Sequence, residues 1–263
     1  MSTDQPNVLQ FFGRHLVALC VTFRYADQPN EPPQFRAYAG TLLALGGGVH
    51  FVTAGHILSE LHNGLKDDRI VVLNAVLADT FGMGSHGMPI PFDIKSAPIF
   101  FIDDDEAGLD FGVVLLRPYY VRLLAANNTV AVQEENWINQ HKVTFDGYLM
   151  LGLPEEFTSN TVDAEGIGQL SPTLLGVKKL DAPPAGCPVT EYPEFIGTLA
   201  ENFGLRSVKG MSGGPIFGVS SEPPMRYWII ALQSSWLKDS RTVFGCSLPV
   251  FASLMTEWAK SVE

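Results

Sequence analysis

The run Gly210-Met211-Ser212-Gly213-Gly214-Pro215 leaves the backbone little choice of geometry. A serine set among glycines sits on a turn open to positive φ angles, where no neighbouring side chain screens its hydroxyl. The backbone N–H groups of Gly210 and Ser212 can then point at one spot, an arrangement that suits an oxyanion hole. The same residues also build an ordinary tight turn between strands. What separates the two readings is whether the chain supplies a base for the hydroxyl.

A serine hydroxyl is a poor nucleophile at neutral pH and needs a base within hydrogen-bond reach, itself oriented by a third group. His56 lies in Phe51-Val52-Thr53-Ala54-Gly55-His56-Ile57-Leu58, at the exit of an apolar strand and the start of a short helical turn. Asp110 opens Asp110-Phe111-Gly112-Val113-Val114-Leu115-Leu116, a carboxylate at the mouth of an otherwise apolar strand. Asp103, Asp104 and Asp105 belong to a solvated charge run, and Asp93 is followed by Ile-Lys-Ser. Of these carboxylates Asp110 alone is followed by residues able to bury it, as a group that orients a histidine requires. The alternative for Asp110 is a strand-initiating cap.

These segments resemble the trypsin-like, or chymotrypsin-fold, serine peptidases. That family carries a Thr-Ala-x-His segment, an Asp-x-(Ala/Gly)-apolar-apolar-Leu segment and Gly-x-Ser-Gly-Gly-Pro, in that order. Here they are Thr53-Ala54-Gly55-His56, residues 110–116 and residues 210–215. The similarity extends to residues 37–54 (a Gly-Thr strand and hairpin leading to the histidine), 148–154 and 245–260. The resemblance implies an all-β fold of two six-stranded antiparallel β-barrels with a C-terminal helix. Residues 1–125 would form the barrel carrying His56 and Asp110, and residues 126–263 the barrel carrying Ser212 and the closing helix. It also implies a serine endopeptidase acting on protein or peptide substrates through an acyl-enzyme, with the triad His56, Asp110 and Ser212.

Length and pattern agree. Two barrels of roughly 100 residues each use up a chain of 263 residues with 46% hydrophobic content. Strands are expected over residues 16–23, 37–45, 49–54, 69–78 and 97–102 of the first half, Gly46-Gly47-Gly48 supplying the hairpin turn. In the second half they are expected over 143–151, 165–177, 195–201, 215–219, 226–234 and 242–248. Residues 117–142 lose the periodic pattern and read as the crossing between barrels. Residues 249–262 read as an amphipathic helix with Phe251, Leu254, Met255 and Trp258 on one face.

The resemblance places the specificity pocket at residues 205–209, at Ser234-Ser235-Trp236 and at Gly245-Cys246-Ser247. Arg206 stands where trypsin-like members carry a pocket-floor aspartate, which argues against a preference for Arg or Lys there. If Arg206 faces the pocket it favours an acidic or polar side chain; otherwise it is an exposed arginine. Met211 replaces the aspartate that, in many digestive members, pairs with a newly cut N-terminus, so that activation switch is expected to be absent. The alternatives in function are a catalytically silent binding module on this fold, or a latent protease ordered by a regulatory protein partner through the loops at 79–91 and 181–194.

A net charge of −11 argues against nucleic acid, whose phosphates need a basic face. The three cysteines, Cys20, Cys187 and Cys246, have no metal-ligand spacing and are expected to be reduced. His15, His50, His62, His86 and His141 are scattered singly, and no metal or cofactor is implied. Residues 1–6 have no basic lead, and the apolar run 16–23 is too short for a signal core or a membrane span. A cytoplasmic protein is expected, with no membrane partner.

Overall fold

The computed structural model describes residues 7–82, 88–138, 145–162, 168–187, 189–201, 203–222 and 225–262. The first half folds as a sheet of seven antiparallel strands: Leu16–Tyr25 (β1), Gln34–Leu45 (β2), Gly48–Thr53 (β3), Ile70–Ala78 (β4), Ile90–Pro91 (β5), Ile99–Asp104 (β6) and Leu109–Leu115 (β7). Their order is β5-β4-β1-β2-β3-β7-β6. The second half is a closed six-stranded barrel, β10-β13-β12-β11-β8-β9. Its strands are Gly147–Gly152 (β8), Thr173–Lys179 (β9), Glu194–Leu199 (β10), Pro215–Ser220 (β11), Arg226–Leu237 (β12) and Thr242–Ser247 (β13). The architecture is the expected all-β pair, closed by the C-terminal helix Leu248–Val262. The first half holds seven strands where six were expected, because Ile90–Pro91 pairs with Val76 and Leu77 at the edge.

Local chemistry accounts for the strands. Gly46 and Gly47 adopt φ of 59° and 78°, the two left-handed residues of a two-residue hairpin loop, and Leu45 pairs with Gly48 across it. β10 alternates buried and half-buried residues, one face in the barrel core. β7 is buried at six of its seven positions instead, because the helix Gly55–Lys66 (α2) covers the face turned from the interior. That helix spans 12 residues, more than the short turn expected, and buries Ile57, Leu58 and Leu61.

Two further helices were not anticipated. Val8–Gly13 (α1) precedes β1, and Pro118–Ala126 (α3) occupies part of the crossing that read as irregular, Pro118 opening its first turn. Trp137, also in the crossing, is fully buried and stacks toward Phe251 of the C-terminal helix (α4). Of the four apolar residues expected on α4, Phe251 is buried and Leu254 and Met255 pack beside it; the side chain of Trp258 lies outside the described residues. So do His86, His141 and parts of the strands expected over 143–151 and 165–177. Among the described residues no helix is long and apolar enough to cross a membrane.

One apolar cluster runs through both halves, joining Phe12, Leu16 and Val52 to Phe217, Ile229 and Phe251. His15 is embedded in this seam. Its Nδ1 lies 2.9 Å from the Val130 carbonyl oxygen, which can only accept, so Nδ1 carries the proton and Nε2 accepts from the Tyr227 hydroxyl at 2.9 Å. Tyr227 belongs to β12, so this histidine ties the two halves together as a neutral ring. Burial pushes its pKa down to about 4, with the Arg14 charge beside it acting in the same direction against the Val130 hydrogen bond.

A depressed folded-state pKa means that the unfolded chain takes up a proton which the native protein refuses. His15 therefore contributes stability that is complete above its ordinary value of 6.5 and is lost as pH falls through about 4. The expected loss is about 3 kcal/mol, at 1.36 kcal/mol per unit. Urea unfolding at pH 7 and pH 4 will show it, and the pH-dependent loss should shrink in His15→Gln.

Candidate active site

The site begins where β3 ends. Ala54 precedes α2 with extended backbone and offers no side-chain cap to the free amides of the first turn. The missing acceptor comes from another strand: Asp110, near the start of β7, accepts the His56 backbone N–H on Oδ1 at 2.8 Å. Its Oδ2 accepts the Nδ1–H of the same residue at 2.8 Å. One carboxylate thus caps α2 and fixes the imidazole, in the tautomer that leaves Nε2 as acceptor. The His56 side chain is 41% exposed and that of Asp110 is 11% exposed, so the ring faces the cleft while its partner is shielded. Close approach depends on Gly55, where a Cβ would overlap the backbone carbonyl of Ile102 on β6.

Ser212 arrives from the opposite half. Its turn docks against the N-terminal sheet through Gly213, where a Cβ would collide with Thr53 Oγ1 and come within 2.5 Å of the Ala39 carbonyl oxygen. The Gly213 amide donates to the Gln233 carbonyl at 2.8 Å, that of Gly214 to Met211 at 3.0 Å and that of Met211 to Val208 at 3.1 Å. Among the described residues the amides of Gly210 and Ser212 take no such partner. The Lys209 carbonyl accepts from the Glu155 amide at 2.8 Å. In a planar trans peptide this directs the Gly210 N–H to the side opposite the Lys209 carbonyl; Gly210 and Ser212 both line one cleft. The Ser212 hydroxyl donates to the Ser234 carbonyl at 3.1 Å.

Two side chains missed in the sequence reading hold the loop before the serine. Glu156 accepts from the Arg206 amide at 2.8 Å and from its Nε at 2.9 Å, and Glu155 pairs with Lys209 Nζ at 2.9 Å. Both sit on a short turn, Glu155–Phe157, far away in sequence, and nothing local marks them. Arg206 therefore does not face a specificity pocket: its side chain lies on Glu156 and is 88% exposed. The acidic preference inferred from it loses its basis. Met211 is fully buried in the barrel core, an apolar anchor at the position of the expected missing switch.

Two cavities meet at His56. One, of about 360 Å³, holds Ser212, Gly210 and His56 with Arg36, Tyr38, Glu60, Glu155 and Lys209. The other, of about 800 Å³, lies on the Asp110 side and is lined by Ser234 and Ser235 among others. Trp236 instead packs against the barrel core, and Gly245 sits in the barrel beneath Ile216, lining neither cavity. Cys20, Cys187 and Cys246 are free, and burial pushes the thiols of Cys20 and Cys246 up to about 12, the carboxylates of Asp110 and Glu194 adding to the shift at Cys246. Among the described residues no three His, Cys, Asp or Glu side chains are grouped to hold a metal.

No protein-family model matches the sequence, and no curated protein does. Among solved structures the chain is similar to AL20, a thermostable serine protease from an extremophilic microorganism, at 15% identity over 94% of this chain and 97% of that one, with a TM-score of 0.51. It is also similar to a Glu endopeptidase solved with MPD, at 12% identity over 98% and 96%, with a TM-score of 0.51. The fold is that of the chymotrypsin-type serine proteases.

Burial works to lower the His56 pKa. The hydrogen bond and charge of Asp110, with the charges of Asp103 and Glu60, outweigh it and raise the value above 6.5. Imidazole resonances followed by NMR should place the His56 titration above 6.5, and Asp110→Asn should bring it down. A titration unmoved by Asp110→Asn would show that the pair does not control the ring.

Proposed function

We propose that this chain is a serine endopeptidase in which Ser212, His56 and Asp110 act together. One observation carries the reading: an imidazole oriented by a shielded carboxylate shares a cleft with a serine whose turn has two amides, those of Gly210 and Ser212, with no backbone acceptor among the described residues. In the reaction the Ser212 hydroxyl leaves the Ser234 carbonyl, gives its proton to His56 Nε2 and attacks the substrate carbonyl. Asp110 holds the Nδ1–H and stabilises the imidazolium. The developing oxyanion lies between the Gly210 and Ser212 amides, a donor of this kind being worth about 2.7–4 kcal/mol. His56 then protonates the leaving amine, the acyl-enzyme forms, and water repeats the sequence from the other side. Because neutral His56 is the base, activity should rise as pH climbs through its raised pKa. Free cysteines, two of them buried, suit a reducing compartment such as the cytoplasm.

A second reading has an observation of its own. The Ser212 hydroxyl donates to the Ser234 carbonyl, and among the described residues no hydrogen bond joins it to His56, as in a protease held latent until a partner or substrate turns it.

Treatment with a fluorophosphonate probe tests both. Labelling of the wild type that disappears in Ser212→Ala, with peptide hydrolysis reduced roughly 10⁴-fold or more, is the expected result. A fully active Ser212→Ala would remove the assignment. An unlabelled wild type would favour the latent protein or a silent binding module.

A further inference from the structure

The two cavities that meet at His56 differ in charge. The smaller one mixes signs, with Arg36 and Lys209 beside Glu60 and Glu155. The larger one is lined by Asp103, Asp104, Asp105, Asp110 and Glu194 and, among the described residues, by no lysine or arginine. Asp110 is engaged by His56, and Asp104 accepts the amides of Glu106 and Ala107 within its own turn. Among the described residues none of Asp103, Asp104, Asp105 and Glu194 makes an ion pair with a lysine or arginine.

The crowding is felt. Burial raises the Glu194 pKa, and the charges of Asp105 and Asp110 raise it further; Asp103 is raised in the same way by burial and then by Asp110 and Asp105. A cation brought into this space would relieve that repulsion and recover interactions that water screens poorly in a concave wall. The carboxylates do not converge on one point, since among the described residues no three ligands are grouped for a metal ion. They are spread around about 800 Å³, room for several side chains on an extended chain. Leu237 and Phe244 add apolar surface to the lining, suited to the methylene stems of lysine and arginine. The β12–β13 register breaks between Gln233 and Trp236, so the chain at Ser234 and Ser235, which line the cavity, leaves the regular ladder beside it.

From this juxtaposition we propose that the Asp110-side cavity receives the basic side chains of an extended peptide on one side of the scissile bond, with Asp105 and Glu194 as specificity-determining residues. The inference rests on the reading of His56 and Ser212 as the reactive centre. It reverses the preference that Arg206 had suggested: selection for positive charge comes from the wall beside the histidine, not from the loop before the serine.

Binding to the Ser212→Ala protein tests it without turnover. The probes are a fluorescent decapeptide of alternating lysine and alanine and its counterpart with glutamate for lysine, compared by anisotropy. The lysine peptide should bind at least about tenfold tighter, and Asp105→Asn with Glu194→Gln should remove about tenfold, a few-fold per partly exposed pair. Glu222→Gln with Asp239→Asn changes the net charge equally at exposed positions outside the cavity and should cost less than about twofold. If the half-buried Glu194 variant folds poorly by circular dichroism, Asp105→Asn alone should still cost a few-fold. Equal losses in the cavity and control variants, or no preference for lysine over glutamate, would overturn the proposal. Fluorophosphonate labelling of the wild type judges the catalytic reading separately. A labelled enzyme indifferent to lysine defeats the specificity alone, and a lysine-selective protein that never labels defeats the reading of a constitutively assembled reactive centre while keeping the cleft.

Discussion

The contact on which the site depends is the paired hydrogen bond from His56 to Asp110. It is a folding interaction and a chemical one in the same two atoms. Oδ1 satisfies an amide that Ala54 leaves uncapped, and Oδ2 holds the ring that projects from the next bond of the same residue. The carboxylate is delivered by pairing of β3 with β7, which sets Thr53 opposite Gly112 and brings the end of one strand beside the start of the other. Packing of α2 across β6 and β7 then encloses the carboxylate and leaves the ring half open. Loss of the cap and loss of the ring's orientation are therefore one event.

The two halves meet by close backbone approach at the serine turn and by a buried polar stitch elsewhere. Gly213 lets the turn lie directly on Thr53 and Ala39, which a side chain would prevent. At a distance, His15, the residue before β1, is hydrogen-bonded to Tyr227 of β12 inside the apolar seam. The loop before the serine is held by contacts within its own half of the chain. Met211 anchors it in the barrel, and the Glu155 amide sets the plane of the peptide that presents Gly210. In the proposed reaction this arrangement would have the Gly210 donor in place before charge develops.

Charge is distributed unevenly around the cleft. The overall balance of −11 by itself speaks to solubility and general repulsion. What gives it direction is the concentration of carboxylates on the Asp110 side of His56 and of mixed signs on the Ser212 side. The Asp103-Asp104-Asp105-Glu106 run reads in sequence as a solvated loop; in the fold Asp103, Asp104 and Asp105 line a cavity that Glu194, from the other half of the chain, also lines.

Residue type and spacing alone were enough for the features that neighbouring residues control. The glycine hairpin at Gly46 and Gly47, the apolar strand behind Asp110 and the glycine-flanked Ser212 follow from φ preferences and from short-range hydrophobic pattern. The helix α2 was partly legible, since Ile57, Leu58, Leu61 and Leu65 recur at helical spacing, but its length was underread from the strand exit before it. The seventh strand and α3 escaped because two residues at a sheet edge and a helix burying only Leu124 carry little periodic signal. Tertiary structure alone decided where Arg206 points, that Glu155 and Glu156 hold the loop, and that two acidic segments share a cavity. Each of these depends on strand pairing between segments far apart in the chain. A side chain's partner across a cleft is set by that pairing, whereas its backbone conformation is set by its neighbours.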